Sequence, residues 1–426
     1  MKNRNFKIQI GLTILISLLA GYFFGINKVN FDWKNYKPQF QIVNKEPPAG
    51  VIAIDATPFW TVWEKLQTNY YDKSKLDSQK MLNGAITGMV QSLGDPFTMY
   101  LPPVQNTNFK QGLAGEFSGI GAELGMKDKQ VIVIAPLTGS PAEKAGIKPG
   151  DSIMAVDGQS ISGWNLNQVV DKIRGPKGTA VSLTIIHKDE SSSKEIKITR
   201  DTITVKSVDG WVKPVDCSKQ CQAVDPSKAN ANSNEVAYIR LSQFGDNTNQ
   251  EWLALVNKLN TQVKAGKNVK GLILDLRNNP GGYLTDATFI ASEFINQGLP
   301  VVMEEDGIPG DSKTLDAQRQ GVFTNIPIVV LINKGSASAS EIVAGALRDN
   351  HRAKLVGEVS YGKGTIQEAE DLGGGAGIHI TIAKWLTPSG VWVNGKGLTP
   401  DVSVSPNPKD PSEDTQLEKA IEVLVK

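Results

Sequence analysis

The sequence predicts an α/β protein whose core is preceded by a β-rich domain and, before that, by a helical region. Three patterns carry this. From residue 235 onward, apolar runs of strand length alternate with stretches of helix length, as stacked βα units require. Between about 115 and 205, short β-rich runs are separated by turns. In the region before residue 95, apolar residues recur at three- and four-residue spacing.

At 426 residues and 40% hydrophobic content the chain can bury more than one core, and two or three domains are expected. Its 45 Lys and Arg against 44 Asp and Glu leave a net charge of +1, a balance that argues against nucleic acid as a partner.

Taken in order, Lys2, Arg4 and Lys7 precede an uncharged, mostly apolar run, Ile10 to Ile26. That run is at the lower limit for a membrane-spanning helix and exceeds the usual apolar core of a signal peptide. A cationic flank on its N-terminal side predicts export of the rest of the chain. No small-x-small cleavage site is evident, so residues 1–30 are read as an uncleaved anchor in preference to a cleaved signal peptide. The remainder then lies on the extracytoplasmic side of the cytoplasmic membrane. Residues 31–56, with several prolines and polar residues, read as a tether.

In the helical region, residues 57–110, the stripes are Phe59, Trp63, Leu66, Tyr70 and then Leu82, Ala85, Met89, Leu93, the second after a cap at Asp77. Gly94-Asp95-Pro96 stops that helix. So aromatic a face is expected to cover a core or a partner, with a core favoured. A similar stripe, Leu417, Ala420, Ile421 and Leu424, marks a C-terminal helix within 406–426.

In the β-rich domain, 111–205, the runs are 130–135, 151–156, 181–187 and 195–199. In the core, 206–405, strands are expected at 235–244, 269–276, 327–333 and 353–357, with helices at 249–263, 284–296 and 342–350. Residues 211–235 are polar and read as an inserted surface loop. It holds both cysteines, Cys217 and Cys221, which in an exported chain are candidates for a small disulfide. Two ligands without a nearby histidine argue against a metal site, and no cofactor is implied.

The chemistry is expected where the apolar strand at 327–333 ends in Gly335-Ser336-Ala337-Ser338-Ala339-Ser340-Glu341 and turns into a helix. A strand-to-helix turn of small residues puts a hydroxyl where free N–H groups converge, the setting of a nucleophilic serine. The same stretch also suits a serine helix cap. Only His187, His351 and His379 exist, none in a triad context, so a lysine base is the alternative. Lys363, between Gly362 and Gly364, is the candidate. Burial lowers a lysine from its reference pKa of roughly 10.4 towards neutrality.

Together these stretches resemble the carboxyl-terminal processing peptidases, or tail-specific proteases. The family pattern is Ser-Ala-Ser-Glu with a lysine 25 residues after the nucleophile, which selects Ser338 with Lys363. By the same resemblance Gln367 orients the lysine and Asp349 is a supporting aspartate. Asp275-Leu-Arg-Asn-Asn-Pro-Gly-Gly282 matches the glycine turn whose N–H joins that of Ala339 as oxyanion hole. Gly281 and Gly282 both fit the donor position, with Gly282 favoured. The implied fold is the crotonase/ClpP-like peptidase core. Thr387 to Gly390 and Gly397 to Asp401 are expected to shape its substrate channel.

The β-rich segment is similar to a PDZ domain: Ser140 to Asp151 supplies its helix and turn, and Ser118-Gly119-Ile120-Gly121 its carboxylate-binding loop. Successive N–H groups in such a loop can face one anion, and the adjoining strand edge can pair with an extended peptide. Arg174 occupies a position that in some relatives couples this domain to the active site. The resemblance implies a serine endopeptidase that binds the C-terminal tail of a protein and cleaves upstream, and a homodimer built through the helical region and the C-terminal helix. Two rival readings are a non-catalytic scaffold and a nucleotide binder. Gly357 with Gly362-Lys363 approaches a phosphate loop, but Gly364 replaces the required Ser or Thr.

Overall fold

The computed structural model describes residues 13, 15–18, 29–34, 37–42 and 55–426, except 128–129, 138, 189, 219, 230–232, 267, 308–311, 408–409 and 411–412. Most of the apolar run read as an anchor lies outside these. No described helix is long and apolar enough to cross a membrane. The chain divides into two compact units, residues 1–81 and 82–426.

In the first unit, Val29–Lys34 pairs antiparallel with Lys37–Ile42. Part of the expected tether is therefore a hairpin. Phe31 and Trp33 alternate with polar neighbours, a period of two that fits a strand better than a linker. The helix Thr57–Asn69 forms where its spacing predicts, but none of its residues is buried. Instead of covering a core, Phe59, Trp60 and Trp63 pack on one another, with ring centroids 5.0 to 6.3 Å apart. The next helix, Ser78–Gln91, begins at Asp77, whose Oδ1 accepts the N–H groups of Gln79 and Lys80.

The core is a seven-stranded sheet. Its central strands, Glu235–Leu241, Val269–Asp275, Ile328–Ile332 and Ala353–Gly357, run parallel. All five residues of Ile328–Ile332 are buried, as a strand covered on both faces must be. Helices Thr248–Ala265 and Ala339–Asp349 pack through Trp252, Val256, Leu259, Val343 and Leu347 into the largest apolar cluster. On the other face lies the C-terminal helix Thr415–Val425, with Ala420 and Ile421 buried among Val236, Ile273, Val329 and Val356. The stripe thus packs on the chain's own sheet, with Leu417 and Leu424 partly buried at its margin.

Two further expectations are corrected. Residues 211–235 are not wholly a loop, because Val208–Asp216 is a sheet strand, with Val215 buried and Trp211 stacked on Tyr238 at 4.9 Å. The helix expected at 284–296 stops at Ala291, where Ser292 Oγ bonds back to the Thr288 carbonyl at 2.6 Å.

A second sheet pairs Thr365–Gly373 with Ala376–Leu386 and adds Met99–Leu101 at its edge. The β-rich domain is a sheet of Ser193–Thr199, Ala180–Ile186, Ser152–Val156, Gln130–Pro136 and Ala122–Lys127, closed by helix Leu166–Ile173 over Val133, Leu183 and Ile185. A short ribbon, Glu116–Gly119 with Asp201–Thr204, forms its stem.

Candidate active site

The three serines of the strand-to-helix turn have different fates. Ser336 Oγ donates to the Leu276 carbonyl at 2.8 Å, and Ser340 Oγ to the Asn279 carbonyl at 2.7 Å, both fully buried. Ser338 alone of the three lines a cavity of about 340 Å³. Its φ of +55° lies in the left-handed region, which costs a residue with a side chain on the order of 1–3 kcal/mol. The turn is held by Glu341, a fully buried carboxylate one helical turn on, whose Oε2 accepts the Ser338 N–H at 2.9 Å.

The same carboxylate grips the lysine loop, accepting Ser360 Oγ at 2.6 Å and the N–H groups of Gly362 and Lys363 at 2.7 and 2.9 Å. Gly362, at φ +87°, is required there, since a Cβ would come within 2.7 Å of the Gly397 N. Lys363 lines the cavity with its amine 5.1 Å from the centre of the Phe97 ring. Burial lowers its pKa from the ordinary lysine value, against the opposing pull of Asp95. No hydrogen bond joins Lys363 to the Ser338 hydroxyl.

Gln367 lines the cavity too, but its amide donates to Thr365 Oγ1 at 2.8 Å and Thr381 Oγ1 at 3.1 Å, not to the lysine. Asp349 lies away from it altogether. It sits at the far end of the helix that Ser338 begins, about 15 Å along the axis. There it accepts Ser389 Oγ at 2.6 Å and Ser389 N–H at 3.0 Å, anchoring the turn at 387–390.

Of the two glycines, Gly281 has its N–H committed to Asn279 Oδ1 at 2.9 Å. The N–H groups of Gly282 and Ala339 have no partner among the described residues, and both residues line the cavity. A Cβ on Gly281 would come within 2.8 Å of Ser338 Cβ, so the glycine turn lies directly against the serine.

Sequence reasoning missed four neighbours. Asp95 reads only as part of a helix stop, yet it acts on Lys363. His379, buried on the second sheet, packs edge-on against Phe109 at 4.4 Å. Its pKa is lowered by burial and then by Lys363. Glu341 and Asn279 read only as letters of their motifs, with no role attached. Long-range strand pairing, invisible to local pattern, brings the first two in.

In the β-rich domain, Ser118 to Gly121 line a groove of about 370 Å³ between strand Ala122–Lys127 and helix Leu166–Ile173. Gly121, at φ +73°, approaches Ser140 so closely that a Cβ would sit 2.5 Å from Ser140 Cβ. The Ile120 and Gly121 N–H groups have no partner among the described residues. Arg174 lies over the Phe117 ring at 4.9 Å and lines this groove, not the catalytic cavity. Cys217 and Cys221 are joined by a disulfide of 2.07 Å.

A strained serine, a partly buried lysine and two N–H groups without a partner among the described residues share one cavity in a chain that also carries a grooved β-rich domain, and these define a serine peptidase with a PDZ domain. Family models agree, with peptidase family S41 matching residues 235–404, the PDZ domain 110–186 and the activating protease CtpB N-terminal domain 33–103. The carboxy-terminal processing protease CtpB of Bacillus subtilis is 35% identical over 390 residues, 90% of this chain and 74% of that one. Its CtpA is 37% identical over 340 residues, covering 80% and 67%. Among solved structures, a photosystem II D1 C-terminal processing protease superposes with a TM-score of 0.51 at 32% identity, covering 86% of this chain and 96% of the other. The chain belongs to the S41 carboxy-terminal processing serine proteases.

Proposed function

We propose that the protein is an endopeptidase with a Ser338–Lys363 dyad that binds protein C-terminal tails in the PDZ groove and cleaves outside the cytoplasm. One observation carries the dyad: Lys363 is the basic side chain in the Ser338 cavity whose backbone is fastened to the serine's own turn through Glu341. The neutral amine takes the proton from Ser338 Oγ as that oxygen adds to the peptide carbonyl. Gly282 and Ala339 N–H groups stabilise the oxyanion, a contribution of about 3 to 4 kcal/mol for one such donor. The lysine then gives its proton to the leaving amine, and an acyl-Ser338 ester remains. A water that loses its proton to the same amine hydrolyses the ester. Because the two side chains are not hydrogen-bonded in this state, the amine swings towards the serine when substrate fills the cavity.

Tail binding is supported by the Ile120 and Gly121 N–H groups, which have no partner among the described residues and lie at the end of an apolar groove where a terminal carboxylate fits. Residues 1–30, with their cationic flank, support an anchor, and the Cys217–Cys221 disulfide supports an oxidising compartment. Intact-mass spectrometry of model proteins differing only in their last few residues tests the reading. Shortening that depends on an apolar, free C-terminus is expected with the wild type and is absent with Ser338→Ala. Cleavage indifferent to the tail would remove the recognition role, and cleavage by Ser338→Ala would remove the nucleophile.

A further inference from the structure

The link between the glycine turn and the serine turn runs through one side chain. Asn279 is fully buried, and each of its polar groups is hydrogen-bonded, its own N–H to the Leu276 carbonyl at 3.3 Å. Its Oδ1 accepts the Gly281 N–H at 2.9 Å, and its Nδ2 donates to the Leu241 carbonyl at 2.8 Å. Its carbonyl accepts the Ala337 N–H at 3.0 Å and Ser340 Oγ at 2.7 Å. Strand Glu235–Leu241, the glycine turn and residues Ala337 and Ser340 on either side of Ser338 therefore meet on one asparagine.

We propose that Asn279 is the positioning residue of the oxyanion hole. By occupying the Gly281 N–H it leaves the Gly282 N–H as the donor on this turn, and by docking Ala337 and Ser340 it sets that donor's distance from Ala339. The Leu241 carbonyl prevents the side chain from turning over, because only the amide nitrogen can satisfy it while the amide oxygen faces Gly281. A carboxylate would keep the first bond and lose the second. An alanine loses both, and frees a second, competing N–H one residue too early. No other side chain spans the two bonds, since Gly281 and Gly282 have none and Pro280 has no hydrogen-bonding group.

The inference rests on the proposed serine mechanism and concerns stabilisation of charge, not attack. A peptide aldehyde adds Ser338 Oγ to its carbonyl carbon, with the hydroxyl proton passing to Lys363, and leaves an oxygen anion in the hole. The matching peptide amide binds the same cleft without that anion. Asn279→Ala is therefore expected to lower kcat, with KM within about twofold, and to weaken the aldehyde by about tenfold or more relative to the amide. Asn279→Asp should fall between wild type and Asn279→Ala. Should neither variant fold, Ser340→Ala removes one of the same ties from the other side and should show the same split in smaller degree. Aldehyde and amide weakened equally, or both unchanged in a folded variant, would overturn the role of Asn279. Activity retained by Ser338→Ala would instead remove the mechanism it depends on.

Discussion

The backbone N–H groups of Ser338 and Lys363 donate to a single oxygen atom, Oε2 of Glu341, at 2.9 Å each. Serine and lysine come from loops on different strands, 25 residues apart, and this shared acceptor holds their main chains in one register. The other oxygen of Glu341 takes Ser360 Oγ and the Gly362 N–H, so four donors converge on one buried carboxylate. An amide at this position cannot accept on both ends. Glu341→Gln is expected to leave two donors facing an NH2 group and to cost about 1 to 3 kcal/mol for each one stranded. Denaturant titration should show the loss, and kcat should fall more than tenfold with it, while an unaltered kcat would separate the carboxylate from catalysis.

The pH profile is set by the surroundings of Lys363. Burial pushes its pKa down, so the neutral, proton-accepting form appears at lower pH than for a free lysine, and kcat/KM rises with pH as the amine deprotonates. The Asp95 carboxylate favours the charged amine and opposes that shift. Asp95→Asn removes the opposition and is expected to move the acid limb of the kcat/KM profile to lower pH. A limb that stays in place or moves up would show that Asp95 does not act on the base.

The glycine turn tolerates no added carbon. Gly281 at φ +96° has Ser338 Cβ and the Ala339 N within 2.9 Å of where a Cβ would lie. Gly281→Ala is expected to lower kcat by at least about tenfold through displacement of the serine turn. Steady-state kinetics on a variant that keeps its circular dichroism spectrum would check it.

The disulfide closes a loop of only five residues, from Cys217 to Cys221. Chain-entropy arguments give so short a loop about 2 kcal/mol. The Cys217→Ser, Cys221→Ser pair should lose about that much in a denaturant titration and keep its peptidase activity. Gln220 in this loop and Gln222 just after it bond Glu413 and Glu418 of the C-terminal segment, so limited proteolysis of the variant should open first at the C-terminal helix.

Much of the core was legible because its signals are local. The apolar run at 327–333, the small residues after it and the glycine-flanked Lys363 each announce their structure in sequence order. Their conjunction told the three serines apart only by resemblance, and geometry does so by giving Ser336 and Ser340 acceptors in the 276–279 turn. Asp95, His379 and Asn279 were not legible as site residues. Each reaches the site or its oxyanion turn by a pairing or a hydrogen bond to a distant segment, and no periodicity reports that. Gln367 and Asp349 show the converse: family position names them, while their own bonds run to Thr365, Thr381 and Ser389. The helix Thr57–Asn69 was predictable in kind but not in burial, because an apolar stripe does not say what covers it.

The claim on which the rest depends is that Lys363 activates Ser338. The most direct measurement is the rate at which a peptidyl acylating reagent modifies the protein, followed by intact mass and by mapping of the modified peptide, in wild type, Ser338→Ala and Lys363→Ala. One adduct is predicted, on Ser338, absent from Ser338→Ala and slowed at least about a hundredfold in Lys363→Ala. An adduct on another residue, or one forming at the wild-type rate without the lysine, would contradict it.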